Sequence, residues 1–60
     1  MSEKLPEDLD KALRIIANGE QIVIPMTLLR ELLNAGYIQK EFKGGWLVNS
    51  RGREYLHLHK

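Results

Sequence analysis

The sequence LLNAGYIQKEFKGGWLVNSRG, residues 32–52, decides the fold of this chain. Leu32 and Leu33 belong to a predicted helix that ends at Gly36, because glycine takes the left-handed conformation that closes a helix without strain. Residues 37–43 alternate weakly between apolar and polar, and residues 46–49 follow a Gly44-Gly45 turn, a pattern that predicts a β-hairpin. The segment therefore predicts a helix followed at once by a hairpin.

The length of the hairpin loop fixes which side chains share a face, because a shift of one residue turns every side chain over. A two-residue Gly-Gly turn would set Phe42 opposite Leu47 and leave Trp46 and Val48 on the other face. A three-residue loop at residues 43–45 would place four large apolar side chains on one face, so we expect that loop. The four are Ile38, Phe42, Trp46 and Val48. A lone tryptophan in so small a domain is expected to belong to the core.

Two helices and a strand are predicted upstream of the hairpin. The first helix begins at Leu5-Pro6, where proline suits the first turn, and ends at Gly19. The second covers residues 26–35 after Pro25, and a β-branched run at residues 21–24 predicts a short strand between them. Helical spacing gives the first helix an apolar face of Leu9, Ala12, Leu13, Ile16 and Ala17. The second has a stripe of Leu28, Leu29, Leu32 and Leu33 and leaves Thr27, Arg30, Glu31 and Asn34 facing outward.

A third helix is predicted from Ser50, with Asn49 as its N-cap. Gly52 weakens this helix by up to about 1 kcal/mol relative to alanine. Its expected apolar contacts are Tyr55, Leu56 and Leu58. His57 and His59 are expected on a solvated end, since side chains two residues apart on a helix do not converge on one ion.

The predicted fold class is α+β, with the order α-β-α-β-β-α in one domain over residues 1–60. Residues 1–5 are expected to be flexible and residues 58–60 to be frayed. A chain of 60 residues buries only about 60% of the surface that its unfolded form exposes. Because it has no cysteine for disulfides, a second subunit is the expected source of further burial, and we expect a homodimer.

Residues 24–56 resemble winged helix-turn-helix DNA-binding proteins of the MarR-like and PadR-like kind. The resemblance rests on Gly36-Tyr37-Ile38 at the end of a leucine-rich helix, on the hairpin, and on Val48-Asn49-Ser50-Arg51-Gly52, where that family has Leu-Thr-x-x-Gly. It implies a small winged-helix-like domain whose C-terminal β-hairpin is the wing, in a bacterial or phage-type transcriptional regulator. One helix is predicted between strand and hairpin where the family has two, so the resemblance is to a minimal or degenerate form.

The resemblance implies double-stranded DNA as the partner. Outward residues of the second predicted helix would then face the bases, and arginine and asparagine suit guanine and adenine. These residues are Thr27, Arg30 and Asn34. Cations and glycines of the hairpin and the following turn would contact phosphate: Lys40, Lys43, Gly44, Gly45, Arg51 and Arg53. Each of these residues also fits an ordinary solvated surface, and Glu31 in the same patch would repel phosphate.

The alternative is a protein-interaction module that keeps the scaffold without binding DNA. The near-neutral charge and the missing helix favour this alternative. The chain has a net charge of +1. Its basic residues are concentrated in the second half, which an anionic partner would prefer, but the excess is small.

The composition excludes several classes of function. Without cysteine the chain has no thiolate zinc site, iron–sulfur cluster or cysteine nucleophile. It also has no histidine–carboxylate pattern around a hydroxyl nucleophile and no phosphate-binding glycine motif, so we expect no enzyme, no cofactor and no metal site. Glu7, Asp8 and Asp10 are explained by their place in the first turn of a helix. No apolar run approaches the roughly 20 residues that span a bilayer, so we expect a cytoplasmic protein without a membrane partner.

Overall fold

The computed structural model describes residues 4–20 and 22–59. Their elements follow the order α-α-β-β-α: α1, Glu7–Asn18; α2, Met26–Ala35; β1, Ile38–Lys40; β2, Trp46–Val48; and α3, Ser50–Leu58. The strands β1 and β2 form an antiparallel hairpin, which gives the described residues a small α+β fold. Residues 1–3 of the segment expected to be flexible, and residue 60 of the segment expected to be frayed, lie outside the described residues.

The ends of α1 and α2 confirm the predicted helix boundaries. Gly19 and Gly36 take left-handed conformations, with φ of 70° and 83°. The backbone N–H of Gly36 donates to the carbonyl of Leu33, and that of Tyr37 to the carbonyl of Leu32. These bonds satisfy carbonyls that the helix leaves without partners at its end, so the chain turns directly into β1.

The strand predicted at residues 21–24 is wrong for residues 22–24, while Gln21 lies outside the described residues. Residues 22–25 have no regular secondary structure, and Val23 is 95% exposed. A strand needs a neighbour to accept its hydrogen bonds, and β1 and β2 pair only with each other in the described part of the chain. The connection from α1 to α2 therefore contains no strand in its described residues, 19–20 and 22–25.

The hairpin loop lies one residue earlier than predicted. Lys40 pairs with Trp46 and Ile38 with Val48, while the N–H of Glu41 donates to the carbonyl of Gly45 at 3.1 Å. The three-residue loop is thus residues 42–44, and its last residue, a glycine with φ of 96°, has the positive φ that this kind of loop needs. Ile38, Trp46 and Val48 share a face as expected, but Phe42 stands fully exposed in the loop.

The core lies where α1, α2, α3 and the inner face of the hairpin meet. Its buried side chains are Ala12, Leu13, Leu29, Leu32, Ile38 and Tyr55. Three residues predicted on apolar faces are not buried: Leu33 is 42% exposed, Leu58 is 56% exposed, and Ala17 is exposed. Because α2 packs on one side against α1 and β1, only a narrow stripe of its leucines reaches the interior.

Gly52 is a close-packing position between α3 and the hairpin. A Cβ atom at this residue would lie 2.5 Å from Val48 Cγ1 and closer still to the carbonyl oxygen of Tyr37. Real Cβ atoms do not approach other heavy atoms this closely. The helix-weakening glycine of the sequence is therefore what allows α3 to pack against the start of the hairpin.

Candidate nucleic-acid interface

The candidate base-facing residues lie on one outward face of α2. Thr27, Arg30 and Asn34 are exposed and follow the i, i+3, i+7 spacing that aligns side chains along a helix. Glu31 is exposed on the same helix and places a carboxylate beside Arg30. The face can therefore offer hydrogen-bond donors and acceptors to a polar partner, with one negative charge among them.

Arg51 lies against the C-terminal end of this helix. Its guanidinium carbon is 5.2 Å from the centroid of the Tyr37 ring, and its Cδ lies 3.8 Å from the place that a Cβ of Gly36 would take. A cation at this point interacts favourably with the aromatic face and with the negative end of the helix dipole. Arg51 thus has a structural role, and the residue is also exposed beside the end of α2.

Asn49 holds the first turn of α3 beside the end of α2. Its Oδ1 accepts a hydrogen bond from the backbone N–H of Gly52 at 2.9 Å, which confirms the predicted N-cap. Its Nδ2 donates to the carbonyl oxygen of Gly36 at 2.6 Å, and its own N–H donates to the carbonyl of Tyr37. Sequence reasoning missed this second role, although the amide side chain of asparagine is the signal, since it combines a donor with an acceptor.

The remaining candidate phosphate contacts are divided between the hairpin and α3. Lys40 ends β1, Lys43 and Gly44 lie in the loop, and Gly45 follows the loop with φ of 82°. Arg53 is exposed in the first turn of α3, two residues after Arg51. All of the predicted cations are exposed, and the structure places Arg51 next to α2 while Lys40 and Lys43 belong to the hairpin.

A groove opens on another side of the molecule, between the end of α1, residues 22–24 and the hairpin. It has a volume of about 430 Å³. Its apolar lining comes from Ile15, Ile16, Ile22, Ile24, Leu29 and Trp46. Glu20 and Glu41 add two carboxylates, and Trp46 is half-buried here while packing against the core. Sequence reasoning missed the groove because it depends on residues 22–24 forming a connection and not a strand.

A polar cluster ties α1 to α3 at the opposite end of the core. Asp10 accepts hydrogen bonds from Arg14 Nε at 2.7 Å and from the hydroxyl of Tyr55 at 2.6 Å, and that hydroxyl accepts one from the N–H of Leu5. The hydrogen bond from Arg14 lowers the pKa of the Asp10 carboxyl below its ordinary value, with a smaller opposing effect of burial. The helix-dipole explanation of Asp10 is therefore incomplete, because this carboxylate also fixes the position of Tyr55.

His59 belongs to the same cluster and not to a solvated end. Its ring lies 4.5 Å from the Tyr55 ring, and its carbonyl accepts a hydrogen bond from Arg14. Its Nε2 is buried and finds no hydrogen-bond partner among the described residues. The expectation of a solvated terminus is wrong for His59, because this C-cap residue follows Tyr55 by one helical turn and packs on its ring, whereas His57 is exposed as predicted.

Neither a metal site nor a membrane-spanning element is present in residues 4–20 and 22–59. No three His, Asp or Glu side chains there are arranged to hold an ion. None of the helices in this part of the chain has the length and apolar character needed to cross a membrane. Comparisons of the chain with protein families, with curated proteins and with solved structures find no significant match.

Proposed function

We propose that this chain is a small DNA-binding protein of the winged-helix type, with α2 as its recognition helix and the hairpin as its wing. The observation that carries the proposal is the exposed polar face of α2, with the cation of Arg51 beside Gly36 at the C-terminal end of the same helix. In this arrangement Thr27, Arg30 and Asn34 lie nearest to the bases, and a phosphate contact begins where the base contacts end.

The order of the elements supports this proposal. Because residues 22–24 form no strand, α1 is the element that precedes α2 in the described residues, and the hairpin follows α2 directly. In helix-turn-helix proteins the second helix of such a pair enters the major groove. The connection at residues 19–25 is longer than the usual turn of three or four residues, which makes this a variant of the motif.

Phosphate contacts are proposed for two groups of residues. Arg51 and Arg53 project from the first turn of α3, which Asn49 fixes beside α2. Lys40, Lys43 and the backbone of Gly44 and Gly45 supply contacts from the hairpin. The two groups are independent in the structure, so paired alanine substitutions can assign the contacts: Lys40 and Lys43 in one variant, Arg51 and Arg53 in the other.

Titration of the full chain against a labelled duplex at two salt concentrations tests the proposal. We expect binding that weakens steeply with salt, because each phosphate contact releases counterions from the duplex. The Arg51/Arg53 variant should lose more affinity than the Lys40/Lys43 variant if α2 and α3 form the centre of the interface. Absence of binding at low salt, or binding that does not respond to salt, would contradict the proposal.

A protein-interaction module is the second candidate, and the exposed apolar side chains favour it. Ile22, Val23, Met26 and Phe42 are exposed, although such side chains are usually buried. If a protein is the only partner, alanine at Lys40, Lys43, Arg51 and Arg53 together should leave the biological activity unchanged in a folded chain. Loss of activity in that variant would instead favour nucleic acid.

A further inference from the structure

We propose that two copies of this chain dimerise by inserting Phe42 of each hairpin loop into the groove of the other copy. The inference goes beyond DNA binding and does not depend on it. It assigns the homodimer a specific contact, with one side chain as the inserted group and one groove as its acceptor.

The groove has the shape and lining of a site for a large apolar side chain. Ile16 of α1 and Ile24 of the connection line it together with Trp46 of the hairpin. Its volume of about 430 Å³ exceeds what one aromatic ring fills, so the ring can enter with part of its loop. Ile22 lines the groove yet is 52% exposed in the single chain, so apolar surface remains to be covered.

Among the described residues, Phe42 is the most exposed large apolar side chain, and it can enter such a groove. It is fully exposed in the hairpin loop and does not pack against the core of its own chain. An aromatic side chain of this kind can bury about 150 Å² or more, and leaving it in water forfeits that stabilisation. Its position in a loop of three residues projects it away from the body of the chain, where a second copy can reach it.

The residue that follows Phe42 is a cation and the receiving groove is lined by carboxylates, while Glu41, which precedes Phe42, lines the groove of its own copy. Lys43 follows Phe42 in the loop and is exposed. Glu20 and Glu41 line the groove that receives the loop, so insertion brings a cation towards carboxylates. Opposite charges at this contact favour the loop of a second copy over an acidic peptide.

The same contact can occur twice in a symmetric dimer. Glu41 and Gly45, next to the loop, also line the groove, so each copy carries the inserted group beside its own acceptor. A two-fold axis between the loops then buries both Phe42 side chains at once. The outward residues of α2, Arg51 and Arg53 do not line the groove, so the dimer leaves these proposed DNA contacts free, whereas it occupies the proposed phosphate contacts Lys43, Gly44 and Gly45 of the hairpin.

Sedimentation equilibrium of the full chain from about 1 μM to about 1 mM measures the association without DNA. We expect a concentration-dependent dimer, and Phe42→Ser should raise its dissociation constant at least about tenfold. Leu47→Ser is the matched control, because Leu47 is a partly exposed apolar residue on the outer face of the same hairpin. Trp46 fluorescence and helical circular dichroism establish that both variants are folded.

Charge reversal tests the geometry independently of the apolar contact. Glu20→Lys and Lys43→Glu should each weaken the dimer, and the double variant should recover most of the association, since every loop then again meets an opposite charge. Isotope-filtered NMR on a mixture of labelled and unlabelled chains should show contacts from the Phe42 ring to methyl groups of Ile16 and Ile24. A chain that stays monomeric at about 1 mM, or a Phe42→Ser dimer as tight as the original, would overturn the proposal.

Discussion

The carboxamide of Asn49 donates a hydrogen bond to the carbonyl oxygen of Gly36 at 2.6 Å, and this bond joins the end of α2 to the start of α3. The two residues are thirteen positions apart, with the whole hairpin between them. Because Arg51 follows Asn49 by two residues, the bond also sets the guanidinium of Arg51 beside Tyr37. The base of the hairpin is therefore closed by a side chain as well as by the strand pairing.

Replacing Asn49 separates its two hydrogen bonds. Asn49→Ala removes both the N-cap and the bond to Gly36, and we expect a loss of about 2 kcal/mol in the free energy of unfolding. Asn49→Asp keeps the oxygen that accepts from Gly52 but replaces the donor by a carboxylate oxygen that repels the carbonyl oxygen of Gly36, so it should also be destabilised at neutral pH. Urea unfolding measures both, with the exposed Asn18→Ala as the control; equal stability of Asn49→Asp and the original chain would show that the link to Gly36 contributes nothing.

Gly52→Ala should destabilise the chain although alanine is the better helix former. Helix propensity alone favours the substitution by about 1 kcal/mol. The added Cβ has no room against Val48 and the carbonyl of Tyr37, and overpacking of this kind costs about 1–3 kcal/mol. Thermal unfolding followed by circular dichroism gives the sign, with the exposed Ser50→Ala in the same helix for comparison. A higher melting temperature for Gly52→Ala would contradict the close packing.

Asp10 should make the stability of the chain depend on pH in the acid range. The hydrogen bond from Arg14 is the main reason that the folded-state pKa of Asp10 is lowered. A lowered pKa means that this contribution is complete above the ordinary carboxyl pKa and is lost as the pH falls through the folded-state value. The free energy of unfolding, measured from neutral pH to about pH 2, should therefore fall less steeply with pH for Asp10→Asn than for the original chain. Asp8→Asn, an exposed change in the same turn, should leave the acid dependence in place.

The two histidines of α3 should behave differently when truncated. His59→Ala removes a ring that packs on Tyr55, and such aromatic pairs contribute about 0.5–1.5 kcal/mol beyond the area that they bury. His57 is exposed, so His57→Ala should change the free energy of unfolding by no more than about 0.5 kcal/mol. Denaturant unfolding of both variants at one pH provides the comparison, and equal effects would argue against a packed position for His59.

Arg53→Ala should change the salt dependence of DNA binding if Arg53 contacts phosphate. The slope of log affinity against log salt is negative, and removing one phosphate contact makes it less steep by about 0.9. Lys11→Ala removes an exposed cation from α1 and changes the net charge by the same amount, so it controls for general electrostatics. Fluorescence anisotropy at four salt concentrations measures both slopes. An identical change in the two variants would mean that Arg53 makes no specific contact.

Local signals were enough to predict the helices. Proline before a helix, a run of residues at helical spacing and a glycine at the end act within a few residues of each other, and Gly19 and Gly36 end α1 and α2 as predicted. The N-cap at Asn49 is of the same kind, because its partner Gly52 is three residues away. These elements depend on the backbone of one segment and on no distant part of the chain.

Residue patterns along the chain were therefore sufficient for the three helices, the presence of the hairpin and the exposed face of α2. Whether residues 22–24 pair as a strand, how Gly52 packs and where the loop places Phe42 depend on the packing of the whole fold. Each of these depends on a segment far along the chain. A strand forms only beside a partner strand, Gly52 is required only because the backbone of Tyr37 approaches it, and the position of the loop depends on how β1 pairs with β2. That is why composition and spacing identify the candidate polar face, while the groove beside Trp46 becomes visible only when α1, the connection and the hairpin are packed together.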